Sequence, residues 1–158
     1  MSDDIRQQAD SSVQRDIAAS VIERLAAEPG AARTWLNRRL PVGGDQLVEV
    51  NGCLVLPTGA MVAIETYISL GPLRSAQQSG LREDILKLAL LGQRHPHRPR
   101  GLIVVTSREA EAWLRKGWVS QAIKTFEIEV RRMTLSAPEL ARLESIRAGQ
   151  ARANVAKA

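Results

Sequence analysis

The sequence predicts an α/β protein with a mixed central sheet, in which a β-hairpin is flanked by helices. Three observations carry this expectation. Residues 48–56 and 60–68 alternate apolar and polar side chains with period two, as a half-buried strand pair does. Leu102-Ile-Val-Val105 is a continuous apolar run of the kind found in a central strand buried on both faces. The segments around them repeat apolar residues at helical spacing.

Taken in order, residues 12–28 read as a helix. Val13, Ile17, Val21 and Leu25 recur every four positions, Asp10-Ser11-Ser12 offers a cap, and Glu28-Pro29-Gly30 ends the run. Arg33-Thr-Trp-Leu-Asn-Arg-Arg-Leu40 reads as one or two further helical turns, stopped before Pro41 because proline restricts the residue preceding it. Gly43-Gly44 then leads into the hairpin.

Register decides which hairpin residues meet. Even-numbered Val50, Leu54, Leu56, Val62, Ile64 and Ile68 are apolar, whereas odd-numbered Glu49, Asn51, Glu65 and Tyr67 are polar. A two-residue turn would pair odd with even positions and scramble the faces. A three-residue loop, Pro57-Thr58-Gly59, preserves them, with Pro57 opening a type I turn and Gly59 in the left-handed position. Leu56 then faces Ala60, Asn51 faces Glu65 and Glu49 faces Tyr67, with facing side chains about 5 Å apart. The expectation is one acidic patch able to seat a divalent cation. A solvated hairpin face would give the same alternation, but Cys53, Val55, Met61 and Ala63 on that side argue that it is covered near the turn.

Residues 69–80 lack a clear period and contain several chain breakers, so they read as a loop bearing Arg74. A helix is predicted from Leu81 to Leu91, with Leu81, Ile85, Leu88 and Ala89 as its inward stripe. Gln93-Arg-His-Pro-His-Arg-Pro-Arg100 is a stiff basic connector to the strand at 101–106, which is expected to run parallel to a hairpin strand. Thr106-Ser-Arg-Glu109 matches a capping box opening a helix that ends near Gly117. Phe126, Ile128 and Val130 alternate with polar residues, as in a strand near a sheet edge. Ser136-Ala-Pro-Glu139 is a second capping box, opening a helix with Leu140, Leu143 and Ile146 inward.

The 158 residues are expected to form a single domain, with its core at about 12–147 and a frayed basic tail at 148–158. Aromatic residues make up only 3% of the chain, so its packing must be mainly aliphatic. One cysteine allows no internal disulfide, the first residues lack a signal peptide's pattern, and no apolar run could span a bilayer. The expected setting is therefore cytoplasmic, without membrane association. Residues 1–79 carry 7 basic and 9 acidic groups, and residues 80–158 carry 15 and 8. This asymmetry suits a polyanionic partner bound through its phosphates. No P-loop, dinucleotide-binding fingerprint or nucleophile elbow is present, and His95 and His97 lack the partners of a zinc site. Trp35, Trp113 and Trp118 are expected in the core or at an interface.

The order helix, hairpin, helix, buried strand, helix, strand, with acidic groups on the hairpin, resembles the PD-(D/E)XK, or restriction-endonuclease-like, superfamily over residues 12–133. The resemblance implies a nuclease of DNA. An acid on the first hairpin strand and a Glu-x-Lys on the second would hold Mg²⁺ beside a scissile phosphate. Asn51 stands at the position of the family's Asp, and Glu65-Thr66-Tyr67 at its Glu-x-Lys, so Glu65 alone matches. The candidate catalytic residues are Glu65, Asn51, Glu49, Lys87 and Tyr67, and the candidate metal ligands are Glu65, Glu49 and Asn51. Glu49 would replace the missing charge. Lys87, from the following helix, would replace the missing lysine, unless it forms an ordinary helical ion pair with Glu83. Glu23 is a further candidate ligand, with solvent exposure as its ordinary alternative. Arg74, Arg94, Arg98 and Arg100 would contact phosphates without reading sequence. A homodimer able to cut two strands is the family-level expectation. The alternative is a catalytically inactive relative that binds nucleic acid or a protein through the same scaffold.

Overall fold

Among the described residues five strands form one mixed sheet in sequence order: β1 (Arg33–Gly43), β2 (Gln46–Val55), β3 (Met61–Tyr67), β4 (Arg100–Val105) and β5 (Glu129–Arg132). β1 pairs antiparallel with β2 and β2 antiparallel with β3, whereas β3, β4 and β5 run parallel. The computed structural model describes the backbone of residues 2–155 and the side chains of residues 11–152. Among the described residues five helices accompany the sheet: α1 (Ser2–Ala27), α2 (Ser75–Arg94), α3 (Arg108–Leu114), α4 (Gly117–Thr125) and α5 (Ala137–Val155).

The sheet separates two apolar layers. On one face Leu54, Val62, Ile64, Leu102 and Val104 pack with Ile17, Val21, Ile22 and Leu25 of α1 and Leu143 of α5. On the other, Cys53, Ala63, Ile103 and Val105 pack with Leu81, Ile85, Leu88 and Leu91 of α2, Ala110 and Leu114 of α3, and Val119 and Ile123 of α4. β4 contributes buried side chains to both layers, which explains its unbroken apolar run. Cys53 is a buried free thiol.

The hairpin turn forms as its sequence requires. Leu56 N–H donates to Ala60 O at 2.8 Å, Gly59 N–H donates to Leu56 O at 2.8 Å, and Gly59 takes φ +84°. The pairs Val55↔Met61, Leu54↔Val62, Cys53↔Ala63 and Gly52↔Ile64 keep the three-residue-loop register. The strand at 100–105 is parallel to β3, as expected. At the C-terminal helix Ser136 N–H donates to Glu139 Oε2 at 2.8 Å, and Glu139 N–H donates to Ser136 Oγ at 3.4 Å, completing the capping box.

Several expectations are corrected. Residues 33–40 are not helical: they belong to β1, an edge strand paired antiparallel to β2. Their alternation is concealed by a change of face. Trp35 and Cys53 pack toward α2, and so do Leu40, Val48 and Val50, so the inward parity switches from odd to even between these groups. The switch falls at Asn37 and Asn51, between the pairs Leu36↔Gly52 and Arg38↔Val50, where Asn37 takes φ +48°. Asparagine tolerates this left-handed conformation better than most residues.

Helix α1 extends N-terminally of the predicted 12–28 segment, and α2 begins at Ser75, inside the predicted loop, rather than at Leu81. Ser107, not Thr106, caps α3, accepting from Ala110 N–H at 3.1 Å. A further helix, α4, begins at Gly117, so the final strand starts at Glu129 and Phe126 closes α4 instead. α5 continues to Val155, through most of the segment expected to fray; residues 156–158 lie outside the described residues. Trp35 and Trp113 are partly buried against the core, whereas Trp118 is 63% exposed. No described helix is long and apolar enough to cross a membrane.

Candidate functional site

β3 carries Glu65 into the layer between the sheet and α2, flanked on the same strand face by Ala63 and Tyr67. Glu65 is only 2% exposed, an unusual environment for a carboxylate, since burial disfavours its charged form. Its nearest counter-charge comes from α2. Lys87 Nζ lies 2.5 Å from Glu65 Oε1 and 2.7 Å from Asp84 Oδ1. Tyr67 donates its hydroxyl proton to Asp84 Oδ2 at 2.5 Å. Two carboxylates, one ammonium and one phenol thus converge.

The electrostatics follow from this packing. Burial pushes the Glu65 carboxyl up from its ordinary 4.5 to about 7, and the neighbouring charge of Asp84 pushes the same way. Lys87 and the peptide N–H of Asn51, which donates to Glu65, pull only partly back. Burial acts to lower Lys87, but its bonds to Asp84 and Glu65 outweigh that and raise it, so the amine stays charged. Tyr67 is raised, first by burial and then by its bond to Asp84, and keeps its proton.

Asn51 sits beside the cluster in a bracing position. Thr66 N–H and the Thr66 hydroxyl donate to Asn51 Oδ1 at 2.8 and 3.0 Å, so the amide oxygen is taken by the β3 backbone and a neighbouring side chain. Glu49 is not brought in. The parity switch at Asn51 turns it to the outer face of the β1–β2 ribbon, where it meets Arg39 at 3.4 Å with its side chain 55% exposed. The expected facing of Glu49 and Tyr67 therefore does not form; the β2–β3 ladder ends at Gly52↔Ile64. Glu23 is exposed on α1, which packs on the opposite face of the sheet.

Lys87 pairs with Glu65 and Asp84, and no ion pair joins it to Glu83 among the described residues. Asp84 is the member the sequence reading missed. The signal was present: Asp84 stands three residues after Leu81 and four before Leu88, inside the apolar stripe of its helix. A charged residue there requires a buried partner.

The four candidate phosphate contacts do not form one patch. Arg74 is the N-cap of α2, and Arg94 lies in that helix's last turn. A helix of 20 residues sets them about 30 Å apart. Arg94, Arg98 and Arg100 are exposed near the start of β4, with Arg98 at φ +40°. Arg74 instead faces α5, donating from Nη2 to Gln150 Oε1 at 3.5 Å. His97 N–H donates to His95 Nδ1 at 3.1 Å, which ties the connector locally.

Glu65 and Asp84 supply oxygen donors that already meet one cation, the ammonium of Lys87. This donor set fits Mg²⁺, which commonly uses one or two carboxylates and completes its shell with water and phosphate oxygens. Among the described residues no group of three His, Cys, Asp or Glu is arranged to hold a metal, so two protein carboxylates are the most this cluster offers.

No family model matches the sequence, and no curated protein matches it. Among solved structures, the chain is similar to an XisH family protein from Nostoc punctiforme PCC 73102, with 16% identity and a TM-score of 0.51. That match covers 75% of this chain and 91% of the other. A match to protein VC1899 from Vibrio cholerae has 10% identity and a TM-score of 0.45, covering 87% of this chain and 32% of the other. The first likeness is one of fold. The five-stranded mixed sheet flanked by helices is itself consistent with a restriction-endonuclease-like core.

Proposed function

We propose that this chain is an endonuclease-like protein that hydrolyses phosphodiester bonds of DNA with the help of Mg²⁺. One observation carries the reading: Glu65, Asp84 and Lys87 meet at a single point between β3 and α2. Two acids and a lysine are the chemical inventory that the PD-(D/E)XK resemblance calls for. The acid absent at Asn51 is replaced by Asp84, and the lysine absent at Tyr67 by Lys87.

Glu65 and Asp84 would hold the ion. Bound there, Mg²⁺ would supply Lewis-acid stabilisation of the phosphate and a more acidic water. Lys87, released from one of its two carboxylates, would place its positive charge against a phosphate oxygen. Tyr67 fixes the orientation of Asp84 through its hydroxyl, and Asn51 holds the β3 backbone at Thr66, so both act as positioning residues. Arg94, Arg98 and Arg100 would grip phosphates along the duplex without reading bases.

A second reading has its own support. Lys87 already neutralises both carboxylates, so the cluster is electrically satisfied without a metal. That arrangement favours a non-catalytic relative whose scaffold binds nucleic acid or a protein.

Plasmid and linear DNA incubated with the protein and Mg²⁺, Mn²⁺ or EDTA separate the readings. The nuclease reading predicts metal-dependent cutting that falls at least about 100-fold in Glu65→Ala, Asp84→Ala and Lys87→Ala. Salt-sensitive DNA binding without cutting supports the second reading. Neither cutting nor binding at low salt sinks every DNA-acting version.

A further inference from the structure

The loop after β3 is held by hydroxyl groups rather than by secondary structure. Ser69 N–H donates to Thr106 Oγ1 at 2.9 Å, Ser107 Oγ donates to Gly71 O at 2.9 Å, and the Ser69 and Ser107 hydroxyls lie 3.1 Å apart. These bonds fix residues 69–71 at the C-terminal ends of the parallel strands β3 and β4, where open α/β sheets commonly bind ligands. Facing this loop is the side of α5 that carries Leu143, Ile146 and Arg147. Between them lies a groove of about 600 Å³, which also borders α1 and the start of α2.

Its chemistry is one-sided. The apolar lining comes from Ile68, Leu70, Leu143 and Ile146, two arginines, Arg74 and Arg147, line it as well, and among the described residues no acidic side chain does. Elsewhere between α1 and α5 the cations are matched: Arg142 pairs with Asp16 at 3.0 Å and Arg24 with Glu139 at 3.0 Å. Arg74 and Arg147 have no carboxylate partner among the described residues. Two unmatched guanidiniums beside an apolar lining favour an oxyanion attached to an apolar body, because the guanidinium fork matches carboxylate and phosphate geometry. The N-terminus of the 20-residue α2, whose Ala76 and Gln77 line the groove, adds a partial positive charge. The volume lies in the range of small-molecule sites.

We infer that this groove is a binding site for a small organic anion bearing a phosphate or carboxylate head on an apolar or planar body. It shares no residue with the Glu65 cluster, so the inference stands or falls independently of the nuclease reading.

Calorimetric titration of the full chain with inorganic phosphate, adenosine monophosphate and decanoate provides the test. The expected result is one site per chain for at least one of the two amphipathic probes, bound about tenfold more tightly than inorganic phosphate, with the better probe identifying the head group. Arg147→Gln and Arg74→Gln should each weaken it about tenfold, Arg147→Lys less so, and Ile146→Ser should weaken the amphipathic probes but not phosphate. Arg147 and Arg74 are exposed, so these variants keep the fold. The inference is overturned if neither amphipathic probe binds at about 10 mM, or if binding is unchanged in both arginine variants.

Discussion

Glu65 is a buried carboxylate whose proton affinity links the site to stability. Its folded-state pKa of about 7 lies above its ordinary 4.5, so between those values the folded protein holds a proton that the unfolded chain has lost. The stability this contributes is fully present below about 4.5 and lost as pH rises toward about 7, an effect of roughly 3 kcal/mol at most. Glu65→Gln fixes the neutral state. Urea unfolding at pH 5 and pH 7.5 should show the wild type losing up to about that much more stability than the variant. Equal losses in both proteins would mean that Glu65 titrates normally. At this scale the sequence was only partly legible. Glu65 and Tyr67 stood out because strand alternation places them on one face with Ala63. Asp84 escaped notice because the apolar residues alone define the stripe of its helix, although its position demanded a partner. Glu49 was misplaced because counting by twos assumes an unbroken ladder, and the ladder switches face at Asn51.

Elements differed in how openly the sequence declared them. The Pro57-Thr58-Gly59 turn and the run at 102–105 were readable because a left-handed glycine and two-sided burial leave direct marks. β1 was not, since an edge strand has little to bury and Asn37 breaks its period. α4 was hidden because Gly117, whose φ of +59° suits a helix end, is instead the first residue of the next helix. The contact between α1 and β2 gives a sharp test of packing at this scale. A Cβ on Gly52 would lie 2.9 Å from Ile22 Cδ1 and 3.1 Å from its Cγ2, and Ile22 is fully buried. Gly52→Ala should therefore cost about 1–3 kcal/mol in chemical denaturation. Ile22→Val removes the closest atom at a cost of its own near 1 kcal/mol. The double variant should be more stable than the two single costs added together. Strict additivity would show that α1 does not press on Gly52.

Across the whole molecule, topology does what local pattern cannot. β3 passes into α2, which returns beneath the sheet to β4, and this crossover lays Asp84 and Lys87 over Glu65. The same crossover carries Arg74 and the Arg94–Arg100 connector to opposite ends of α2. The four arginines expected to contact phosphates are thus divided between the two ends of α2, not gathered on one face. Fold class was legible from strand and helix periods, whereas the site depended on contacts between residues about twenty apart, which no single period reports. The proposed nuclease chemistry requires Glu65 and Asp84 together to accept a divalent cation. Calorimetric titration with Mn²⁺ at pH 6.5 and pH 8 tests it most directly, since a metal must displace the proton held by Glu65. One ion per chain is expected, bound more tightly at pH 8 and weakened at least about tenfold in Asp84→Asn and in Glu65→Gln. Absence of binding at about 10 mM Mn²⁺, or binding indifferent to both substitutions, would contradict it.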